Sequence, residues 1–253
     1  MLIDSHAHLG YDALYDNIDT IMQRAFAEEV LAIINICTDE ITAQRGLALQ
    51  QKYPCIYNVG STTPHDTEKL GEKDFAMFSN LARQKKLVAI GETGLDYFYD
   101  YSPKKTQQKW LTQYLELAVE TNLPVVIHCR DAFSDLFAIT ENSYKERPLL
   151  LHCFTGTISE AKQALDRGWM ISFSGIVTFK KSTQLQEAAA YVPMSHLVVE
   201  TDSPYLAPQS KRGQTNEPSF LKETAKFVAD LKKVDFANFC HTTRANTKKF
   251  FHI

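Results

Sequence analysis

Pro124-Val125-Val126-Ile127-His128-Cys129-Arg130-Asp131 is the stretch on which the fold reading turns. Four apolar residues opening on proline are too few for a buried helix. They read as a strand covered on both faces, as in a parallel sheet sheathed by helices. The run then stops on a histidine, a side chain able to hold a metal. The same switch recurs along the chain. Leu87-Val88-Ala89-Ile90-Gly91 leads to Glu92, and Leu149-Leu150-Leu151 to His152. Leu197-Val198-Val199 leads to Glu200-Thr201-Asp202, and Leu2-Ile3-Asp4-Ser5 to His6-Ala7-His8.

Working outward, Leu31 to Ile36, Cys55 to Val59 and Trp169 to Phe173 complete a set of eight strands. Helix-period stretches separate them. From Thr106 to Thr121, the residues Trp110, Leu111, Tyr114, Leu117 and Ala118 recur at i, i+3, i+4 spacing and mark one buried face. Ser102-Pro103 reads as its N-cap and first turn, and Asn122 as its stop. Phe220 to Leu231 and Phe236 to Phe251 read as closing helices. Eight strand-then-helix units predict an α/β fold, a single-domain (β/α)8 barrel of the TIM type over residues 1–253; a doubly wound open sheet is the alternative.

All strands of a parallel barrel open their C-terminal ends on one face, where active sites are built. Five strand ends therefore bring His6, His8, Glu92, His128, His152 and Asp202 to one mouth as metal ligands. His6 and His8 are two apart, so a strand turns both to the same side. Imidazole and carboxylate together suit Zn or Mn, and Mg where carboxylates and waters dominate. Six ligands exceed one tetrahedral zinc, so two divalent ions are expected, activating a water for hydrolysis. Asp202 is the candidate proton acceptor. Arg130 can fork onto a phosphate. Glu200 either positions substrate or forms a salt-bridged support.

Apolar residues make up 44% of the 253 and charged residues 23%, as in an ordinary globular protein, and the net charge of -3 argues against a surface coated in positive charge for nucleic acid. A local basic rim remains open: Lys104-Lys105, Lys180-Lys181 and Lys211-Arg212 all follow strands. Tyr97, Phe98, Tyr99, Tyr101, Phe154 and Tyr205 also fall near the mouth, where they either stack unpaired bases or pack the loops. Five cysteines without a C-x-x-C pair fit reduced thiols rather than a disulfide scaffold. The first residues lack the basic head and apolar run of a secretory signal, and no stretch reaches the length of a membrane span. A cytoplasmic protein is expected, and a monomer, since no helix shows an exposed apolar face.

These segments resemble the TatD-type deoxyribonucleases, a branch of the amidohydrolase-like metal barrels. The likeness rests on Ile3-Asp4-Ser5-His6-Ala7-His8, Gly91 to Tyr97, Val126 to Ala132, Leu151 to Gly156, Glu200 to Leu206, and Arg212-Gly213 followed by Asn216-Glu217-Pro218. It implies hydrolysis of phosphodiester bonds, often as a 3′-to-5′ exonuclease on DNA. It also implies one ion on His6, His8, Glu92 and Asp202 and another on Glu92, His128 and His152. Glu92 would bridge them and act in catalysis with Asp202, where other branches use a carboxylated lysine. His65, Arg130 and Glu200 are then the expected substrate contacts, and DNA, single-stranded or at its ends, the expected partner. Two positions depart from the family pattern: Gly10 stands where an aspartate is usual, and Thr63-Pro64-His65 replaces His-Pro-His. A metal-dependent ester or amide hydrolase, such as an aminoacyl-tRNA deacylase, is the alternative enzyme, and a non-catalytic metal-binding protein the alternative from outside enzymes.

Overall fold

The computed structural model describes residues 1–253, the side chains of Asn142 and Ser143 excepted. The eight apolar runs pair as one parallel sheet in chain order: β1 (Leu2–Ala7), β2 (Val30–Cys37), β3 (Ile56–Gly60), β4 (Ala89–Asp96), β5 (Val125–Arg130), β6 (Leu149–Leu151), β7 (Met170–Phe173) and β8 (Leu197–Val199). The ends meet just beyond β8. Ala7 bridges Ser203, the His8 amide donates to the Ser203 carbonyl at 2.8 Å, and the Asp202 amide donates to the His6 carbonyl at 2.9 Å. That closure excludes the open sheet and makes the fold a (β/α)8 barrel.

The helices are α1 (Asp12–Tyr15), α2 (Ile18–Ala27), α3 (Glu40–Lys52), α4 (Thr67–Arg83), α5 (Lys104–Thr121), α6 (Phe133–Ser143), α7 (Ile158–Leu165), α8 (Thr183–Tyr191), α9 (Leu221–Lys232) and α10 (Phe236–Phe251). In α5, Trp110, Leu111, Tyr114, Leu117 and Ala118 are all buried, and Asn122 ends the helix in the left-handed conformation at φ 54°. The expected start differs. Pro103 takes the cap position, and the Ser102 hydroxyl turns away to donate to the His65 carbonyl at 2.7 Å. A proline ring fixes φ without a side-chain cap, which frees that serine to tie two mouth loops together. No helix among the described residues is long and apolar enough to cross a membrane.

The period of two along each strand sorts its apolar residues into two layers. Val125 and Ile127, Leu149 and Leu151, and Leu197 and Val199 face the helices. Val126, Leu150 and Val198 face inward, with Ile34, Ile36, Val59 and Ala89. Phe250 and Phe251 at the end of α10 join this inner cluster and plug the barrel at its base. The apolar filling therefore occupies the lower interior. Continuing the inward positions upward gives 128, 152, 200 and 202, all polar residues that can be assembled only at the mouth.

Candidate metal centre

Backbone irregularities aim the ligands. Between β4 and β5, Ile90 pairs with Val125 and Thr93 with Ile127, so three steps on β4 match two on β5. Such a bulge re-aims side chains beside a site. It falls on Gly91-Glu92. Gly94 has φ 147°, and a Cβ there would lie 1.9 Å from the His128 carbonyl oxygen, so only glycine lets β4 approach β5 this closely. A similar shift in β1 lies between Asp4 and Ala7, around His6. Asp131, Cys153, Asp202 and Leu206, all at or just after strand ends on the mouth side, have φ of 54°, 42°, 58° and 56°. Left-handed residues are costly outside glycine and gather at sites that need them. At Asp202 the turn swings the carboxylate over to His8. The strands run further than their apolar cores, so His6, Glu92 and His128 lie within β1, β4 and β5, while His152 and Asp202 lie beyond β6 and β8.

His8, Glu92, His128, His152 and Asp202 line a cavity of about 880 Å³ at the mouth, and His6 lies buried among them. His6 Nε2 is 3.4 Å from His8 Nε2 and 3.1 Å from Glu92 Oε2. His8 Nε2 is 3.3 Å from Asp202 Oδ1. On the other side of Glu92, its Oε2 is 2.9 Å from His152 Nε2, which is 3.3 Å from His128 Nδ1. The His6 and His152 rings stack at 3.9 Å, interplanar angle 7°. Glu92 Oε2 is buried and close to two imidazole nitrogens, yet no hydrogen bond to it is aligned among the described residues. The donor atoms thus aim at common points rather than at one another. Two ligands on one tetrahedral zinc lie roughly 3.3–3.4 Å apart, given metal–nitrogen bonds of about 2.0–2.1 Å. The residues present fit divalent cations.

Electrostatics follow from burial and proximity. Burial alone would raise the Glu92 carboxyl, but the charge of His152 and contacts to His152 and His6 outweigh it and hold the group well below the usual carboxylate range. Burial would likewise lower His152, but Glu92 and Glu200 carry it well above an ordinary imidazole. His6 is lowered, by burial first and by the neighbouring His152. Burial would raise Asp202 too, but a hydrogen bond from His8 and the charges of His6 and His152 bring it down. Both shifts favour the ionised carboxylates, the form that binds a cation.

The remaining expected residues separate. His65 reaches the cavity, with Nε2 3.0 Å from Asp96 Oδ2. Arg130 also lines it, its guanidinium 3.7 Å from the Phe98 ring centroid. Glu200 as a substrate contact is corrected. It is fully buried, accepts the Cys153 amide at 2.7 Å, and sits 3.4 Å behind His152 Nδ1, one inward step below Asp202. Its place is under the ligand. Phe154 is buried and packs against Phe173, so it is no mouth aromatic. Of the departures, Gly10 packs so close to Thr42 that a Cβ there would stand 3.1 Å from the Thr42 Cβ, tighter than ordinary contact, and Thr63 hydrogen-bonds Asp66 at 3.1 Å; neither disturbs the six candidate ligands.

Asp96 is the residue that sequence reading missed. Its buried carboxylate accepts from four groups: His128 Nε2 (2.8 Å) and His65 Nε2 (3.0 Å) on Oδ2, and the amides of Phe98 (3.0 Å) and Tyr99 (2.9 Å) on Oδ1. Burial would raise the acid, but these hydrogen bonds hold it far below the carboxylate range. Donating Nε2–H to Asp96 leaves His128 Nδ1 as a bare lone pair facing His152, the tautomer a metal ligand needs. The signal was present: Asp96 lies four residues past Glu92 on the same strand.

A family model described as TatD related DNase matches residues 3–252. The chain is 37% identical over 254 residues to a Bacillus subtilis protein named as the uncharacterized metal-dependent hydrolase YabD, with all of both chains covered. It is 33% identical over 258 residues to a Citrobacter koseri protein named as the 3'-5' ssDNA/RNA exonuclease TatD, covering all of this chain and 99% of the relative. The crystal structure of YJJV, a TatD homologue from Escherichia coli, superposes with a TM-score of 0.94 at 25% identity, covering 100% of this chain and 98% of that one.

Proposed function

The chain belongs to the TatD related DNase family and is a metal-dependent hydrolase, and from that premise we propose that it removes nucleotides from the ends of single-stranded DNA in the 3′-to-5′ direction. The observation that carries the reading is the convergence of four imidazoles and two carboxylates beneath an open cavity with Arg130 in its wall. His6, His8, Glu92 and Asp202 would hold one divalent ion, and Glu92, His128 and His152 a second. When bound, such a pair activates water at neutral pH and offsets charge developing on phosphoryl oxygens. Asp202, ionised and facing the cavity, accepts the proton that leaves the attacking water. Arg130, kept on the Phe98 face, presents its guanidinium to a phosphate. His65, braced by Asp96, contacts the substrate beside it. Glu200 keeps His152 in place from below. The relative named as an exonuclease supports the nucleic-acid substrate and the direction of digestion.

The test is incubation of the purified protein with end-labelled single-stranded DNA, with Mg2+ or Mn2+ and with EDTA. Metal-dependent loss of nucleotides from the 3′ end is expected. Inactivity on DNA alongside metal-dependent turnover of aryl esters or aminoacylated tRNA would overturn the nuclease reading and favour acyl transfer chemistry at the same centre.

A further inference from the structure

The metal centre does not account for the loop after β4, which holds three large rings in water. Phe98, Tyr99 and Tyr101 are 55%, 39% and 63% exposed. Apolar patches kept exposed mark binding surfaces. The loop is also built rigidly. The Phe98 and Tyr99 amides are both held by Asp96, and the Ser102 hydroxyl links the loop to His65. Tyr99 and Tyr101 lie ring on ring, with centroids 5.1 Å apart and planes 4° from parallel, and His65 stands edge-on to each. Arg130 places its cation 3.7 Å over Phe98 and 5.1 Å from Tyr99. All of these side chains border the cavity that contains Glu92 and His152.

We propose that Phe98, Tyr99 and Tyr101 form a stacking platform for an unpaired nucleobase of the DNA strand whose phosphate lies at the metal centre. The subsite rests on the phosphodiesterase reading above and adds the feature that selects the strand. Flat, fixed rings offer a π face that any base can use, and the adjacent guanidinium matches the backbone charge that accompanies it. A base inside a duplex has both faces covered by its neighbours. The platform therefore takes frayed or single-stranded ends and refuses paired ones.

The experiment measures binding of labelled single strands by fluorescence anisotropy to the Mn2+-loaded protein. Phosphorothioate linkages at the 3′ end slow cleavage. One strand is complete, and the other carries an abasic analogue at its 3′ terminus. Removing the stacked base costs the wild type about tenfold in affinity. Tyr99→Leu and Tyr101→Leu, which keep bulk without a π face, lose a similar factor on the complete strand and nothing further on the abasic one. Tyr101→Phe binds like the wild type, as does Tyr191→Leu on distant α8. Equal affinity of the wild type for both strands, or equal losses by the leucine variants on both, would overturn the platform while leaving the nuclease standing. A wild type that neither binds nor cleaves any oligonucleotide would overturn the phosphodiesterase reading and the platform together.

Discussion

Replacing Asp96 by asparagine changes one atom in the site and should weaken metal binding without removing a ligand. The Asp96 carboxylate accepts on both oxygens: Oδ2 from His128 and His65, and Oδ1 from the Phe98 and Tyr99 amides. An amide cannot accept on both sides. If its NH2 faces the imidazoles, His128 must present a lone pair at Nε2 and carry its proton on Nδ1, the nitrogen facing His152. If the amide flips, the NH2 meets two backbone donors instead. Either arrangement leaves a buried polar mismatch worth about 1–3 kcal/mol, or roughly five- to 150-fold in a binding constant. That range agrees with the 10–100-fold losses typical when a carboxylate behind a metal-binding histidine is changed. The assay is chelator-competition titration of Zn2+ or Mn2+, with metal content by mass spectrometry. One site should weaken about 10–100-fold and the other little. Because the Asp96 acid is held so far down, the effect should be the same from about pH 6 to 8.5. Unchanged affinity at both sites would falsify the orienting role.

Four further outcomes are expected. Glu92→Ala removes the oxygen shared by His6 and His152 and should lose at least one bound ion and about 10^3-fold or more in kcat/KM, roughly 4 kcal/mol of transition-state stabilisation; retention of both ions would contradict bridging. Asp74 on α4 is buried near Asp39 with Oδ2 unpartnered among the described residues, and burial first, then that neighbour, push its carboxyl up to about 6. Its folded pKa exceeds the unfolded value of 3.8, so the fold binds more protons between them and stability falls as pH rises from about 4 to 6. Asp74→Asn should flatten that slope and raise Tm at pH 7.5 by about 2–4 °C, near 1 kcal/mol after allowing for solvent screening, as calorimetry at several pH values would show. Lys232→Ala strips the carbonyls of Ala189, Ala190 and Val192 at the end of α8 of their shared ammonium donor and should cost about 2–3 kcal/mol in urea unfolding. Phe251→Ala empties the plug at the barrel base and should cost about 3–5 kcal/mol while leaving kcat of the folded enzyme within twofold.

The chain by itself determined the barrel and most of the candidate metal ligands. Eight short apolar runs alternating with helix-period stretches leave few arrangements open, and the polar residue ending a run such as Val125-Val126-Ile127 is displayed in the one-dimensional pattern. Periodicity is a property of neighbouring residues, so it carried far enough to group His6 with His8 and to mark His152. It set Asp202 among the ligands but left open whether Glu200 meets substrate or supports a ligand from behind. Both are inward positions of one strand end, and only the left-handed turn at Asp202 lifts one carboxylate to His8 while leaving the other beneath His152. Nor could it link Asp96 to His128 and His65, each more than thirty residues away, or lay Arg130 over Phe98. Those partnerships depend on the stagger between β4 and β5 and on a bulge at Gly91-Glu92. Stagger is decided by how the closed sheet packs, because one residue of slip would turn every ligand on a strand away from the mouth.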